Sequence, residues 1–205
     1  MNRDHWILLG AWGLFGLIHS TLAGESFKNY CLTAMGSLRK YYRLFYSLMA
    51  LVSLSIVLSW QFFIKSPVIG YFPLVKLFAG IPVGIAGILL MGACIYKYFY
   101  QLSGINVFRG ETSGEMLETE GMHRYVRHPL YLGTMLFIWA LFLFFPLLGN
   151  LLACIMITIY TFIGIRFEER KLLRKFGAKY VRYRRGTPML LPHIGVRLKD
   201  EGQIS

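Results

Sequence analysis

Four or five apolar stretches, each near the length of a membrane crossing and each closed by charge or by proline and glycine, restrict this chain to folds built in a lipid bilayer. The longest, residues 129–167, carries a single charge, Arg166, close to its end. A crossing takes about 20 residues, so this run is too long for one. The segment "FFPLLGN", residues 144–150, supplies a turn in its middle. Residues 6–23, 42–64 and 74–96 give three earlier spans. In the third, Gly80, Gly84 and Gly87 predict a close-packing face, and Pro82 predicts a kink. The expected fold class is an all-α integral membrane protein of about five transmembrane helices, the last two a tight hairpin. The amino end resembles a signal peptide in having Arg3 before an apolar core, but Trp6, Trp12 and His19 within that core favour a retained first helix.

Charge sets the orientation. Hydrophobic residues make up 56% of the 205, above the usual share of a soluble domain. The formal net charge is +12, which suits anionic lipid head groups; the apolar runs leave too little soluble platform for nucleic acid. Lys28, Arg39, Lys40 and Arg43 follow the first span, Lys97, Arg109, Arg124 and Arg127 the third, and the chain from Arg166 onward is densely basic. Arg3, Lys65 and Lys76 are what the other side holds. The positive-inside rule then puts the amino end outside and the carboxyl end in the cytosol.

One domain is expected: a three-span part over residues 1–100, a core over 101–192 and a polar tail over 193–205. Within the core, "FEERKLLRKFGAKYVRYRRGTPMLLP" places Leu172, Leu173, Phe176, Tyr180 and Tyr183 at helical intervals among Arg and Lys. That pattern predicts an amphipathic helix lying on the cytosolic membrane surface. Cys31, Cys94 and Cys154 show no metal or disulfide spacing and read as buried thiols.

The sequence contains no G-x-G-x-x-G, P-loop, G-x-S-x-G or H-E-x-x-H motif, so any chemistry belongs to polar groups at the membrane edge. Two sets stand there. In "EGMHRYVRHPLYLG", Pro129 suits a first helical turn and His128 its cap. Free N–H groups at that helix start favour an anion, and Arg127 and His128 reinforce it. In "IRFEER", Glu168 and Glu169 are adjacent, about 100° apart on a helix, so one can meet a ligand while the other pairs with a basic residue of the tail. An anion site facing a carboxylate suits a zwitterion, such as the amino-acid part of S-adenosylmethionine.

These two motifs, "GMHRYVRHPLYLG" and "EERKLLRKFGAKYVRYRRGTPMLLP", resemble in order and spacing those of the membrane methyltransferase superfamily that includes isoprenylcysteine carboxyl methyltransferases and phospholipid N-methyltransferases. "FGLIHSTLA", "RFEER" and "PMLLP" look most like its bacterial methanethiol S-methyltransferase branch, and "IHS" is also similar to a membrane family linked to nitrogen-oxide metabolism. The resemblance implies S-adenosylmethionine bound on the cytosolic side between the last spans, in a bacterial inner membrane. It implies a cofactor pocket formed by Leu117 through its backbone, Gly121, His123, Arg127, His128, Tyr131 and Glu168. His123 stands where the family commonly has tyrosine. Arg166 is near the family's substrate-facing arginine.

Methyl transfer from a sulfonium is an in-line displacement, for which positioning and a dry site matter most. His19, in the first span, is a candidate to accept a thiol proton or orient the acceptor. The expected function is methylation of a small or lipophilic acceptor, first of all a thiol. Isoprenylcysteine carboxyl groups and phospholipid amines are alternatives. A haem-binding protein using His19, His123 and His128, or a lipid-gripping scaffold, is the reading of another class.

Overall fold

The computed structural model describes residues 1–103, 105 and 116–192. Arg109 and residues 193–205 lie outside the described residues, as does the side chain of Arg39. The first helix, α1 (Arg3–Ala23), opens on a reciprocal cap: the Asn2 side chain accepts the His5 N–H, and the His5 ring accepts the Asn2 N–H. A short helix that the sequence did not announce, α2 (Glu25–Ala34), and a 3-10 turn (Gly36–Tyr41) lead into α3 (Tyr42–Phe63). The third span is built as α4 (Pro73–Val75), a π turn (Lys76–Gly80) and α5 (Ile81–Ser103). The expected kink at Pro82 takes that form. Proline cannot donate to the carbonyl four residues back and its ring crowds it, and a wider turn just ahead relieves both faults.

After a 3-10 turn (Gly121–Arg124) come α6 (Pro129–Phe144) and α7 (Leu148–Phe176), joined across Pro146. Among the described residues four helical stretches are long and apolar enough to cross a bilayer, namely α1, α3, Pro73–Phe99 and α7, whereas α6 is apolar but shorter. Sixteen residues give α6 a length of about 24 Å, short of a hydrocarbon core of about 30 Å.

Packing follows residue size. Leu8 and Trp12 of α1, Val57 of α3 and Ala153 of α7 form a buried core. The densest helix pair is α5 against α6, more than the α6–α7 hairpin that the sequence suggests. Glycine is the reason: a Cβ on Gly87 would stand 2.7 Å from the Phe137 N, and one on Gly133 would stand 2.9 Å from the Met91 N. Outward faces stay apolar, with Phe62, Tyr71 and Tyr96 more than four-fifths exposed, as lipid contact requires. Cys94 and Cys154 are buried and Cys31 half-buried, and all three are free thiols.

At the bundle end remote from His128, loop and hairpin tip interlock. The Ile69 N–H donates to the Pro146 carbonyl at 2.8 Å, and the Leu148 N–H to the Pro67 carbonyl at 3.0 Å. The Ser66 hydroxyl oxygen accepts the Gly149 N–H at 2.7 Å and lies 3.0 Å from the His5 Nε2. Trp12 donates to Gln61, and Gln61 to Asn150, each at 3.0 Å.

The tail departs from expectation. In place of one surface helix, α7 runs on to Phe176, breaks at Gly177 (φ +50°), and α8 (Ala178–Gly186) folds back. Glycine alone adopts that backbone without strain. The fold-back buries Tyr180 completely, together with Thr187 and Leu190, so the apolar stripe read as lipid-facing partly packs on protein.

Candidate functional site

The segment after α8 straps the two motifs together. The Arg127 N–H donates to the Pro188 carbonyl at 2.8 Å, and the His128 N–H to the Met189 carbonyl at 3.2 Å. The Tyr183 hydroxyl donates to the His123 carbonyl at 2.6 Å. Burial pushes the Tyr183 phenol up to about 12, so it stays a donor throughout the physiological range.

Arg127 was expected to reinforce an anion site, and the structure gives it another task. Its guanidinium lies 2.6 Å from Glu169, and it donates at 3.2 Å and 2.5 Å to the carbonyls of Arg184 and Thr187 at the end of α8. Those carbonyls have no helical N–H left to accept from, and a cation there also meets the negative helix end. With both side chains largely buried, the charge of Arg127 is neutralised by Glu169 and is not available to a ligand.

Glu168 is placed differently. Its side chain is 44% exposed and lies 3.8 Å from the Nδ1 of the buried His128. The His128 Nε2 sits 3.3 Å from Glu169, so the imidazole is held between the two carboxylates at the cap of α6, where its side chain makes no capping bond. Tyr131, one turn on, faces the His128 ring at 5.7 Å and lies within the electrostatic reach of Glu168, Tyr160 and Tyr46. His128, Tyr131 and Glu168 are thus brought together around the start of α6, and Glu169 joins them as the paired carboxylate.

Gly121 and His123 form the floor beside this group. Gly121 has φ +60°, which explains glycine there. The His123 Nδ1–H donates to the Arg127 carbonyl at 3.1 Å, and its ring stands edge-on to Tyr98 at 5.9 Å. Burial holds the His123 imidazole below its ordinary pKa, partly opposed by that hydrogen bond, so it is neutral near pH 7. Leu117 is half-buried in the strand-like approach to this turn, which the Lys97–Glu118 ion pair (2.8 Å) ties to α5. Arg166 is not drawn in: it is exposed on α7, and among the described residues no ion pair or hydrogen bond joins it to Glu168, Glu169 or His128. Two positions along a helix is about 200° around it, which turns Arg166 away from Glu168.

Below this group, within the bundle, a second polar cluster surrounds His19. The Tyr46 hydroxyl of α3 is 2.7 Å from the His19 Nε2 and 3.3 Å from its Nδ1. Phe15 stacks on the ring at 5.7 Å, and Tyr160 of α7 meets it edge-on at 6.1 Å. Tyr131 bridges the clusters, being within electrostatic reach of both Glu168 and Tyr46. Tyr46 and Tyr160 were not read from sequence. Their signal was a tyrosine one turn inside each apolar span, which aromatic packing explains equally well.

A half-exposed carboxylate, an imidazole and the free N–H groups of a helix start, brought together in this way, can hold a small zwitterion, its ammonium toward Glu168 and its carboxylate toward α6. The family model described as phospholipid methyltransferase matches residues 79–179, which include both sets of residues. Methanethiol S-methyltransferase 2 of Bradyrhizobium diazoefficiens is 41% identical over 101 residues, which cover 48% of this chain and 38% of that protein. Protein-S-isoprenylcysteine O-methyltransferase of Schizosaccharomyces pombe is 39% identical over 83 residues, 38% of this chain and 34% of that protein. The chain therefore spans only about a third of the length of these two relatives. Coverage is wider with methanethiol S-methyltransferase of Mycobacterium tuberculosis, 32% identical over 191 residues, 88% of this chain and 75% of that protein. No solved structure matches the chain. A match of that extent and identity means that the chain belongs to the phospholipid methyltransferase family of membrane methyltransferases.

Proposed function

We propose that this protein methylates a small thiol at the cytosolic edge of a membrane, with S-adenosylmethionine as donor. The observation that carries the reading is the unequal use of two adjacent carboxylates: Arg127 pairs with Glu169, while Glu168 is half-exposed beside the His128 cap. The donor set fits the amino-acid end of the cofactor, with Glu168 toward the ammonium and the first N–H groups of α6 toward the carboxylate, beside His128 and Tyr131. Gly121, His123 and the Leu117 backbone lie on the α5 side of that group, where His123 meets Tyr98. When bound, S-adenosylmethionine supplies an electrophilic methyl carbon on a sulfonium. The protein's part is to hold that methyl in line with the acceptor, to exclude water with the strap of residues 187–190, and to receive the acceptor's proton at His19. The names of the relatives, mostly methanethiol S-methyltransferases, favour a thiol over a carboxyl or amine acceptor.

We further propose five crossings with the amino end outside. His5, Ser66 and Gly149 meet at one end of the bundle, and Tyr42, Lys97 and His128 are at the other. The second end collects most of the Lys and Arg, as a cytosolic face does, and α6 makes the fifth crossing as a short helix.

The test is calorimetric binding of S-adenosylmethionine and S-adenosylhomocysteine to detergent-purified protein, then a screen of methanethiol, an isoprenylated cysteine and phosphatidylethanolamine. Micromolar cofactor binding, lost in Glu168→Ala and His128→Ala, with turnover of methanethiol is the expected result. Cofactor binding with turnover of one of the other acceptors would replace the thiol assignment. Absence of binding by folded protein in both detergent and lipid would refute the methyltransferase reading.

A further inference from the structure

An imidazole inside an apolar helix is costly unless a partner or a cavity receives it. His19 sits one turn before the end of α1, half-buried, and three tyrosine hydroxyls surround it. Two of them are committed elsewhere. Tyr42 donates to the Leu22 carbonyl at 2.7 Å, and Tyr160 pairs with the Ser20 hydroxyl at 3.1 Å. Among the described residues the Tyr46 hydroxyl is the one that reaches the ring, at 2.7 Å from Nε2, and its 3.3 Å approach to Nδ1 is the weaker of the two. Phe15 on one face and Tyr160 at the edge keep the ring from turning.

We propose that Tyr46 is the positioning residue for His19: its oxygen accepts the Nε2–H and so leaves the Nδ1 lone pair to take the proton of an incoming thiol. The inference rests on the thiol S-methylation reading above. At pH 7 only about a few per cent of a cysteine-like thiol is ionised, and a simple alkanethiol is less so, which makes a nearby base useful. The thiol S–H bond breaks and its proton goes to Nδ1. The sulfur pair left behind forms the new bond to the methyl carbon as the bond from that carbon to the donor sulfur breaks, its pair staying on the donor sulfur. The imidazolium charge is held by the Tyr46 oxygen until the proton passes to water. The other titratable groups facing this site are Tyr160 from α7, Tyr42 and Arg43 from α3, and Tyr131 from α6 with Glu168 beyond it.

The experiment compares wild type with Tyr46→Phe and His19→Gln, as full-length protein in detergent. It measures kcat/KM for methyl transfer to methanethiol from pH 6.5 to 9.5, repeats this with an acidic thiol such as 4-nitrothiophenol, and follows S-adenosylhomocysteine affinity by calorimetry. Tyr46→Phe is expected to lose about 10- to 100-fold in kcat/KM for methanethiol at pH 7, with inhibitor affinity unchanged. The loss should shrink as pH rises, and should be small at all pH values for the acidic thiol, which arrives already ionised. His19→Gln should behave the same way with a larger loss. A deficit of equal size at every pH and for both thiols, no deficit at all, or a fall in inhibitor affinity would overturn the role of Tyr46. Wild type that binds S-adenosylhomocysteine but methylates neither thiol would overturn the thiol reading itself, and is recognised because the variants are not needed to see it.

Discussion

Arg127 and Glu169, 42 positions apart in sequence, form a largely buried ion pair at 2.6 Å that locks the start of α6 to α7, and through the Thr187 carbonyl to the strap after α8. One guanidinium thereby serves three chain segments and holds them together beside His128.

Breaking that pair from one side leaves a buried charge without a partner. Arg127→Ala is expected to destabilise the protein by about 3–5 kcal/mol, while Arg127→Lys keeps the charge but not the planar fork and falls between. Thermal unfolding of the detergent-solubilised variants measures both. An Arg127→Ala protein as stable as wild type would mean that the strap is held by its backbone bonds alone.

The two adjacent glutamates should separate by assay. Glu168→Gln is expected to weaken S-adenosylmethionine about five- to tenfold with little change in thermal midpoint, because the side chain is 44% exposed and solvent-screened contacts contribute little to stability. Glu169→Gln should do the reverse and lower the midpoint by removing the charge that Arg127 needs. Binding and melting curves on the same samples decide it, and an interchange of the two phenotypes would reverse the assignment.

Within α5, alanine should have opposite effects at two glycines. At Gly87 its Cβ would meet the Phe137 backbone at 2.7 Å, forcing α5 and α6 apart at an expected cost of about 1–3 kcal/mol. At Gly92 nothing lies within 4 Å, and alanine should be neutral or stabilise by up to about 1 kcal/mol through helix propensity. Comparison of the two thermal midpoints is the check.

Stability should fall on mild acidification through His123. Burial lowers its folded-state pKa below the ordinary 6.5, so its contribution is complete above that value. Below it the unfolded chain takes up the proton first, and folded-state stability is lost as pH drops toward the lowered pKa. His123→Tyr, which cannot titrate there, should flatten the dependence of the thermal midpoint between pH 7.5 and 5.5. Equal slopes in the two proteins would show that other groups carry the acid sensitivity.

The one-dimensional pattern by itself determined the apolar spans, the turn at Pro146, the glycine face of α5 and the start of α6 at Pro129, because each depends on neighbours within a turn or two along the chain. The sequence also marks His128, Tyr131 and Glu168 as polar groups at the membrane edge, and the structure brings them near one another. Only the tertiary structure decided that Glu169 and not Glu168 pairs with Arg127, that Arg166 stands apart, that the tail folds back at Gly177, and that Tyr46 reaches His19. Each of these depends on the rotation of one helix about its axis against another. That rotation is set by side-chain packing between segments tens of residues apart, and a run of uniformly apolar residues does not specify which way each helix faces.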